Sequence, residues 1–261
     1  MDAATAVEMG DPPRPPRRRR PTFFGVLGEI LITAGIITLL YVGWQMWIGD
    51  LIYGAQRNAT GQELSEEWAQ AAPAPTSEPT ASSSASPTPA AVEPVVLPEP
   101  ADGEVFGIMH IPRFGADYQV PMAGGVSRPV TLDPIGIGHY PGTKMPGEVG
   151  NFALAAHRTT YGKPFNRIAE LRVGDAIVVE TPDGWYTYRF RTLEYVTPTE
   201  VEVLSPVPQA PDTPAGSRYI TLTSCSPMFA MTERIVAYGV FDSFTPRTAG
   251  APASLTEGAT A

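Results

Sequence analysis

One cysteine, three histidines and an arginine nine positions after the cysteine are the residues of this chain whose types could carry covalent chemistry. Cys225 lies in the run Tyr219-Ile-Thr-Leu-Thr-Ser-Cys-Ser-Pro227. Bulky and polar residues alternate from Tyr219 to Thr223, as in a half-buried strand. Ser224 to Pro227 breaks that pattern, and residues 235–240 read as a second strand. Cys225 is therefore expected where one strand ends and Arg234 where the next begins. If the two strands pair, thiol and guanidinium come close, and a cation beside a thiol favours the reactive thiolate. The competing reading is a buried cysteine that packs as a small hydrophobe, with a surface arginine nearby. A nucleophilic thiol needs a partner that manages protons, and histidine is the usual one. His110 sits inside a strand-like run beside Ile111-Pro112 and reads as a packed or solvent-facing strand residue. His139 stands in a loop before Tyr140-Pro141-Gly142-Thr143, and its role is open. His157 ends the apolar run 151–156 and opens the polar loop 158–162, a common address for a catalytic group.

The elements that must position these residues occupy only part of the chain. Its 261 residues include 29 prolines and 25 glycines, and most of the prolines fall outside the strand-like runs. The formal net charge of −9 argues against nucleic acid as the main partner. A single cysteine excludes an intramolecular disulfide and a cysteine-rich metal site. There is no dense acidic cluster of the kind calcium needs, so no metal and no cofactor is expected.

Residues 1–22 form a basic tail ending in Arg17-Arg18-Arg19-Arg20. Residues 23–49 read as a transmembrane helix, a retained signal anchor, with an uncharged stretch from Ile30 to Gly49 and Tyr41, Trp44 and Trp47 toward its far end. Arg14 and Arg17 to Arg20 precede the span and only Arg57 follows closely. That asymmetry predicts a cytoplasmic N-terminus, an exported remainder and a single-pass protein of the cell membrane with the lipid bilayer as partner. An unpaired thiol kept in an exported chain gains nothing structural and is exposed to oxidation, which favours a catalytic role for Cys225. Residues 50–101 are expected to be a juxtamembrane segment, helical at first, then a linker with eight prolines between residues 71 and 100. Short strand-like runs with Gly/Pro punctuation fill residues 102–245 and predict a mostly β domain, a barrel or sandwich with short helices. Pro182-Asp183-Gly184 reads as a hairpin turn. Residues 246–261 are expected to be a disordered tail.

Three motifs in order carry a family resemblance: His157-Arg-Thr-Thr-Tyr-Gly162, then Thr221-Leu-Thr-Ser-Cys225, then Arg234. They resemble the sortases. The segments Gly138-His-Tyr-Pro-Gly-Thr143 and Pro146-Gly-Glu-Val-Gly-Asn151 resemble the class E, actinobacterial branch, with Ser224 standing where threonine is usual there. The resemblance implies an eight-stranded β-barrel with its active-site loops at one rim. It implies a cysteine transpeptidase that cuts a Leu-Pro-x-Thr-Gly or Leu-Ala-x-Thr-Gly sorting signal between Thr and Gly. The partners would be secreted proteins carrying that C-terminal signal and an amine of a peptidoglycan precursor or a pilin. Cys225 would form the acyl-thioester, His157 would protonate the leaving amine, and Arg234 would bind substrate or the oxyanion. Tyr140, Thr223 and His139 would be candidates for binding the substrate. Other cysteine enzymes fit less well: no histidine or glycine adjoins Cys225 as an L,D-transpeptidase would require, and the order of cysteine and histidine is the reverse of papain's. The non-enzymatic alternative is a tethered β-domain that binds wall polymer or a partner.

Overall fold

The structure, a computed structural model, describes residues 22–44, 48–71 and 92–258. The basic tail and most of the proline-rich linker lie outside the described residues. Two compact units are present, dividing after Trp44.

The first unit contains helix α1, Phe23–Gly43. Thr22 caps it, its hydroxyl oxygen accepting from the Gly25 amide at 3.3 Å. Thr33 and Thr38 donate their hydroxyls to the carbonyls of Glu29 and Ala34, one turn back, at 2.8 and 2.9 Å. These polar side chains are thereby satisfied inside the helix, as an apolar surrounding demands. With a mean hydropathy of 2.1, α1 is long and apolar enough to cross a membrane. Its described span closes at Gly43, and a second helix is described from Gly49.

The second unit contains that second helix, α2 (Gly49–Ala71), and eight strands: β1 (Val105–His110), β2 (Gln119–Gly124), β3 (Ile137–His139), β4 (Gly150–Ala156), β5 (Ala176–Thr181), β6 (Gly184–Val196), β7 (Arg218–Ser226) and β8 (Glu233–Pro246). They close into a barrel in the order β1-β2-β3-β4-β7-β8-β6-β5. Closure removes every free sheet edge. The β5–β6 hairpin turns over Pro182-Asp183 with Thr181 opposite Gly184, as the turn residues predict. Two pairings are parallel, β2 with β3 and β4 with β7. β4 is buried at every position, which accounts for its apolar run from Phe152 to Ala156. The interior is filled by Phe152, Leu154, Ile177, Tyr186, Ile220 and Ile235, among others. Cutting one fully buried Ile or Leu to Ala in such a core costs about 2–5 kcal/mol.

Three features depart from the sequence expectations. β3 is too short, at three residues, to show any periodicity, and it was not anticipated. Residues 92–101, expected to be linker, run extended along the barrel: Val95 O accepts from the Tyr186 hydroxyl at 2.5 Å, and Leu97 packs on the core. The described tail beyond Pro246 is mostly exposed but pinned at a few points, with Ser254 buried against Thr187 at 2.9 Å and Leu255 against Trp185. In both segments small and proline-rich composition masks a few well-placed contacts.

Helix α2 belongs to the barrel unit and lies on β2. Gly61 makes the close approach possible, since a Cβ there would stand 2.1 Å from the Gln119 carbonyl oxygen. Arg57, which sequence reading counts only as a charge beyond the span, is buried in this contact. Near the other end of α2, Ser65 donates to Glu180 Oε1 at 2.8 Å.

Candidate active site

Three adjacent strands bring the chemistry-bearing residues into one row. β4 and β7 are parallel with Ala155 opposite Thr223. Continuing that register by two residues sets His157 (155 + 2) level with Cys225 (223 + 2). β7 and β8 are antiparallel, and Cys225 faces Arg234 directly. Neighbouring strands lie about 4.8 Å apart, so the register alone lines up imidazole, thiol and guanidinium across the barrel rim. Cys225 is the penultimate residue of β7, at the strand end where the sequence pattern places it, and its pairing with Arg234 is the anticipated one.

All three side chains line one cleft of about 540 Å³. Its floor includes Ala155 and Ala156, and its rim carries Phe229 and Met231, which are largely exposed. Such a lining suits an extended peptide with apolar side chains. Cys225 is half-buried and unpaired. Arg234 Nη1 donates to the carbonyls of Met231 at 3.2 Å and Glu233 at 2.8 Å. Those bonds fix the guanidinium plane, while its Nε and Nη2 hold no hydrogen bond among the described residues.

His157 Nε2 lies 2.6 Å from Asp133 Oδ1. A carboxylate can only accept, so Nε2 carries the proton and Nδ1 is left as the nitrogen free for proton transfer. Burial pulls the imidazole pKa below its ordinary value, the Asp133 carboxylate opposing that shift and Arg128 and Arg57 adding to it. The neutral ring is therefore the resting form at neutral pH. Tyr161 stacks on it with centroids 5.3 Å apart.

Tyr140 and Thr223 meet at the cleft wall. Thr223 has one hydroxyl proton and gives it to the Leu154 carbonyl at 3.2 Å, so Tyr140 must donate to Thr223 Oγ1, 3.0 Å away. The phenol ring is thus pinned at the edge of the cleft. His139 does not join them. It is fully buried, stacks on Phe152 at 5.5 Å, and its Nε2 pairs with the Lys144 carbonyl at 3.1 Å. The expectation that His139 binds substrate is corrected: β3 turns this side chain into the core, where no ligand in the cleft reaches it.

Sequence reasoning missed two charged residues at this site. Arg158 follows His157 directly, is buried, and donates to the Cys225 carbonyl at 3.3 Å, tying the two motif loops together. Its place inside the His157 motif was the available signal. Asp133 had none, since it stands 24 positions before its histidine in a turn of ordinary composition. Among the described residues no cluster of side chains is arranged to hold a metal ion.

A family model for the sortase domain matches residues 109–242. The chain belongs to the sortase family. Sortase SrtE1 of Streptomyces coelicolor is 37% identical over 235 residues, covering 88% of this chain and 60% of that relative. Sortase SrtE2 of the same organism is 30% identical over 233 residues, covering 85% of each. The matched segment thus spans somewhat less than two thirds of the length of SrtE1. Among solved structures, the SrtA sortase from Actinomyces oris superposes with a TM-score of 0.59 at 38% identity, over 62% of this chain and 93% of its own. Sortase E1 from S. coelicolor, solved with a tripeptide in the active site, gives 0.56 at 40% identity, over 60% and 99%. Sortases are cysteine transpeptidases, and the eight-stranded barrel expected from the motifs is the one observed here.

Proposed function

We propose that this sortase cleaves a Leu-Ala-x-Thr-Gly or Leu-Pro-x-Thr-Gly signal between Thr and Gly and transfers the acyl fragment to an amine. In this reading the Cys225 thiol passes its proton to His157 Nδ1 as Sγ attacks the threonine carbonyl carbon. The developing oxyanion draws on the Arg234 guanidinium, which cannot lose its charge. The C–N bond breaks as His157 returns the proton to the departing glycine amine, leaving a thioester on Cys225. A second amine then attacks the thioester, His157 takes its proton and passes it to Sγ as the C–S bond breaks, and Cys225 is restored as the thiol. The pairing of Cys225 with Arg234 across β7 and β8, with His157 just past the end of β4 in the same cleft, is the observation that supports this most directly.

Tyr140 stands at the cleft wall with its hydroxyl committed to Thr223, and reads the second position of the signal by limiting its size. The substrates are secreted proteins bearing the signal, and the acceptor is a peptidoglycan-precursor or pilin amine. The apolar helix α1 anchors the chain, and the arginine excess before it sets the barrel outside the cell.

The test is incubation of the full chain in detergent with both peptides, with and without an amine. Mass spectrometry should find a threonine-terminated fragment on Cys225 without amine and a transfer product with it. Transfer by Cys225→Ala, or an adduct on another residue, would sink the assignment and leave a tethered binding domain in its place.

A further inference from the structure

The residues that hold His157 are themselves held by helix α2, which lies more than sixty positions away in the sequence. Arg57 of α2 donates from Nη2 to the Asp133 carbonyl at 2.5 Å and to the Leu132 carbonyl at 3.4 Å. Asp133 is the residue whose carboxylate meets His157 Nε2. On the other side, Tyr53 of α2 packs on Tyr161 with centroids 6.0 Å apart, and Tyr161 is the ring stacked on the imidazole.

The loop that carries Tyr161 needs such support. Tyr161, Gly162 and Lys163 all take positive φ, at 52°, 72° and 42°. For two non-glycine residues in succession around a glycine this is a strained conformation that persists only where its surroundings hold it. Those surroundings are α2 again. Asp50 Oδ1 accepts from the Gly162 amide at 3.4 Å, and its other oxygen lies 3.8 Å from Lys163 Nζ. Gly162 and Gly54 pack backbone against backbone, a Cβ on Gly162 standing 2.8 Å from the Gly54 amide nitrogen.

We infer that α2 is a positioning element of the active site: Arg57 sets the carboxylate that orients His157, and Tyr53 with Asp50 sets the loop whose Tyr161 covers the ring. The inference rests on the sortase reading for its consequence in turnover, but not for its structural content. It assigns a function to a segment that the sequence offers only as a juxtamembrane helix, and to Asp133 the role of positioning residue for the general acid–base.

The charged and titratable groups facing His157 are Asp133 and Arg128 from the turn before β3, Arg57 from α2, Arg158 and Tyr161 from its own loop, and Cys225 and Arg234 across the cleft. This makes the sign of one experiment decisive. Arg57 is a cation, and deleting its charge alone would raise the His157 pKa. Releasing the Asp133 carboxylate would lower it, because that carboxylate is what opposes the burial. The titration of His157 is followed in the full-length chain by histidine-selective NMR, with the resonance identified by its loss in His157→Gln.

Asp133→Asn should move the titration down by about one pH unit or more. Arg57→Gln should move it in the same downward direction by less, and a shift upward or none overturns the role given to α2. Where the peptide assay turns over, both variants should lower kcat, by about 10–100-fold for Asp133→Asn and about tenfold for Arg57→Gln, with KM changed less than about threefold. A change confined to KM overturns the positioning role. If wild-type protein fails to transfer any peptide, the sortase substrate proposal falls while the titration still decides this one. If Arg57→Gln does not fold, Tyr53→Ala reads the same support from the opposite side of the ring, and an unshifted titration there overturns it.

Discussion

Two histidine–carboxylate pairs of nearly identical geometry sit in this barrel and do different work. His157 Nε2 lies 2.6 Å from Asp133 Oδ1, and His110 Nε2 lies 2.7 Å from Glu180 Oε2. The second pair is closed. Glu180 is buried, and its remaining oxygen is taken by Arg247 at 2.9 Å and Ser65 at 2.8 Å, so that β1, β5, α2 and the C-terminal segment are fastened at one point. Burial alone would raise the Glu180 pKa, but the hydrogen bonds from His110, Arg247 and Ser65 outweigh it and hold the carboxyl at about 2. The first pair is open. One imidazole nitrogen is anchored, the other faces a cleft with a thiol in it, and burial keeps the ring neutral. The distance between the partners therefore says nothing about role. What separates a fastening from a proton-transfer group is whether the pair's remaining atoms are already spent.

Removing each histidine should separate the two pairs most widely. His157→Ala should lower peptide transfer by about 10²–10⁴-fold, the usual worth of a general acid–base, with little change in thermal midpoint. His110→Ala should retain turnover and lose stability. A His110→Ala protein that is inactive yet fully stable would erase the distinction. Removal of the closed carboxylate is next in size. Glu180→Ala leaves Arg247 and His110 buried without their counter-charge and should cost about 3–5 kcal/mol in chemical denaturation at neutral pH.

Acid sharpens the comparison by separating the windows. The folded Glu180 carboxyl titrates at about 2 against an ordinary 4.5. Its contribution is thus full above the ordinary value and disappears as pH falls toward the folded one, on the order of 3 kcal/mol in all. His157 is also depressed, below an ordinary 6.5, so its contribution is present above that value and declines as pH falls through the folded pKa. Denaturation followed from pH 8 down to pH 2 should therefore lose stability in two stages. The upper stage should shrink in His157→Gln, the depressed His139 supplying the rest of it, and the lower should shrink in Glu180→Gln, with Asp175 and Glu148 contributing there too; an interchange of these effects would reverse the roles assigned.

Smaller effects probe the open site's surroundings. Arg234→Lys keeps the charge and loses the planar fork, and a fall of about 10–100-fold in kcat/KM would mark a hydrogen-bonding role rather than a purely electrostatic one. Tyr140→Phe removes only the hydroxyl donated to Thr223 and should cost about 1 kcal/mol or less in peptide selectivity, read as the ratio of kcat/KM for the alanine and proline signals.

Much of this molecule was legible in one dimension. An apolar run of about 20 residues crosses a bilayer only as a helix, and α1 followed from length and composition. Strand alternation and the Pro182-Asp183 turn are local signals, so most of the barrel strands were anticipated, and antiparallel neighbours close in sequence carried Arg234 to Cys225. The motifs around His157 and Cys225 identified the family because their residue types and order are themselves sequence properties. Other features arise only from packing between distant segments. The parallel register of β4 with β7, which sets His157 level with Cys225, joins residues 68 positions apart, since 223 − 155 = 68. Asp133 reaches its histidine across 24 positions, and Arg57 reaches Asp133 across 76. His139, adjacent to a residue of the cleft wall, points into the core because successive side chains on a strand face opposite ways. Residue type and local order determined which groups could react; closure of the barrel, and the helix laid on β2, decided which of them meet and which are locked away.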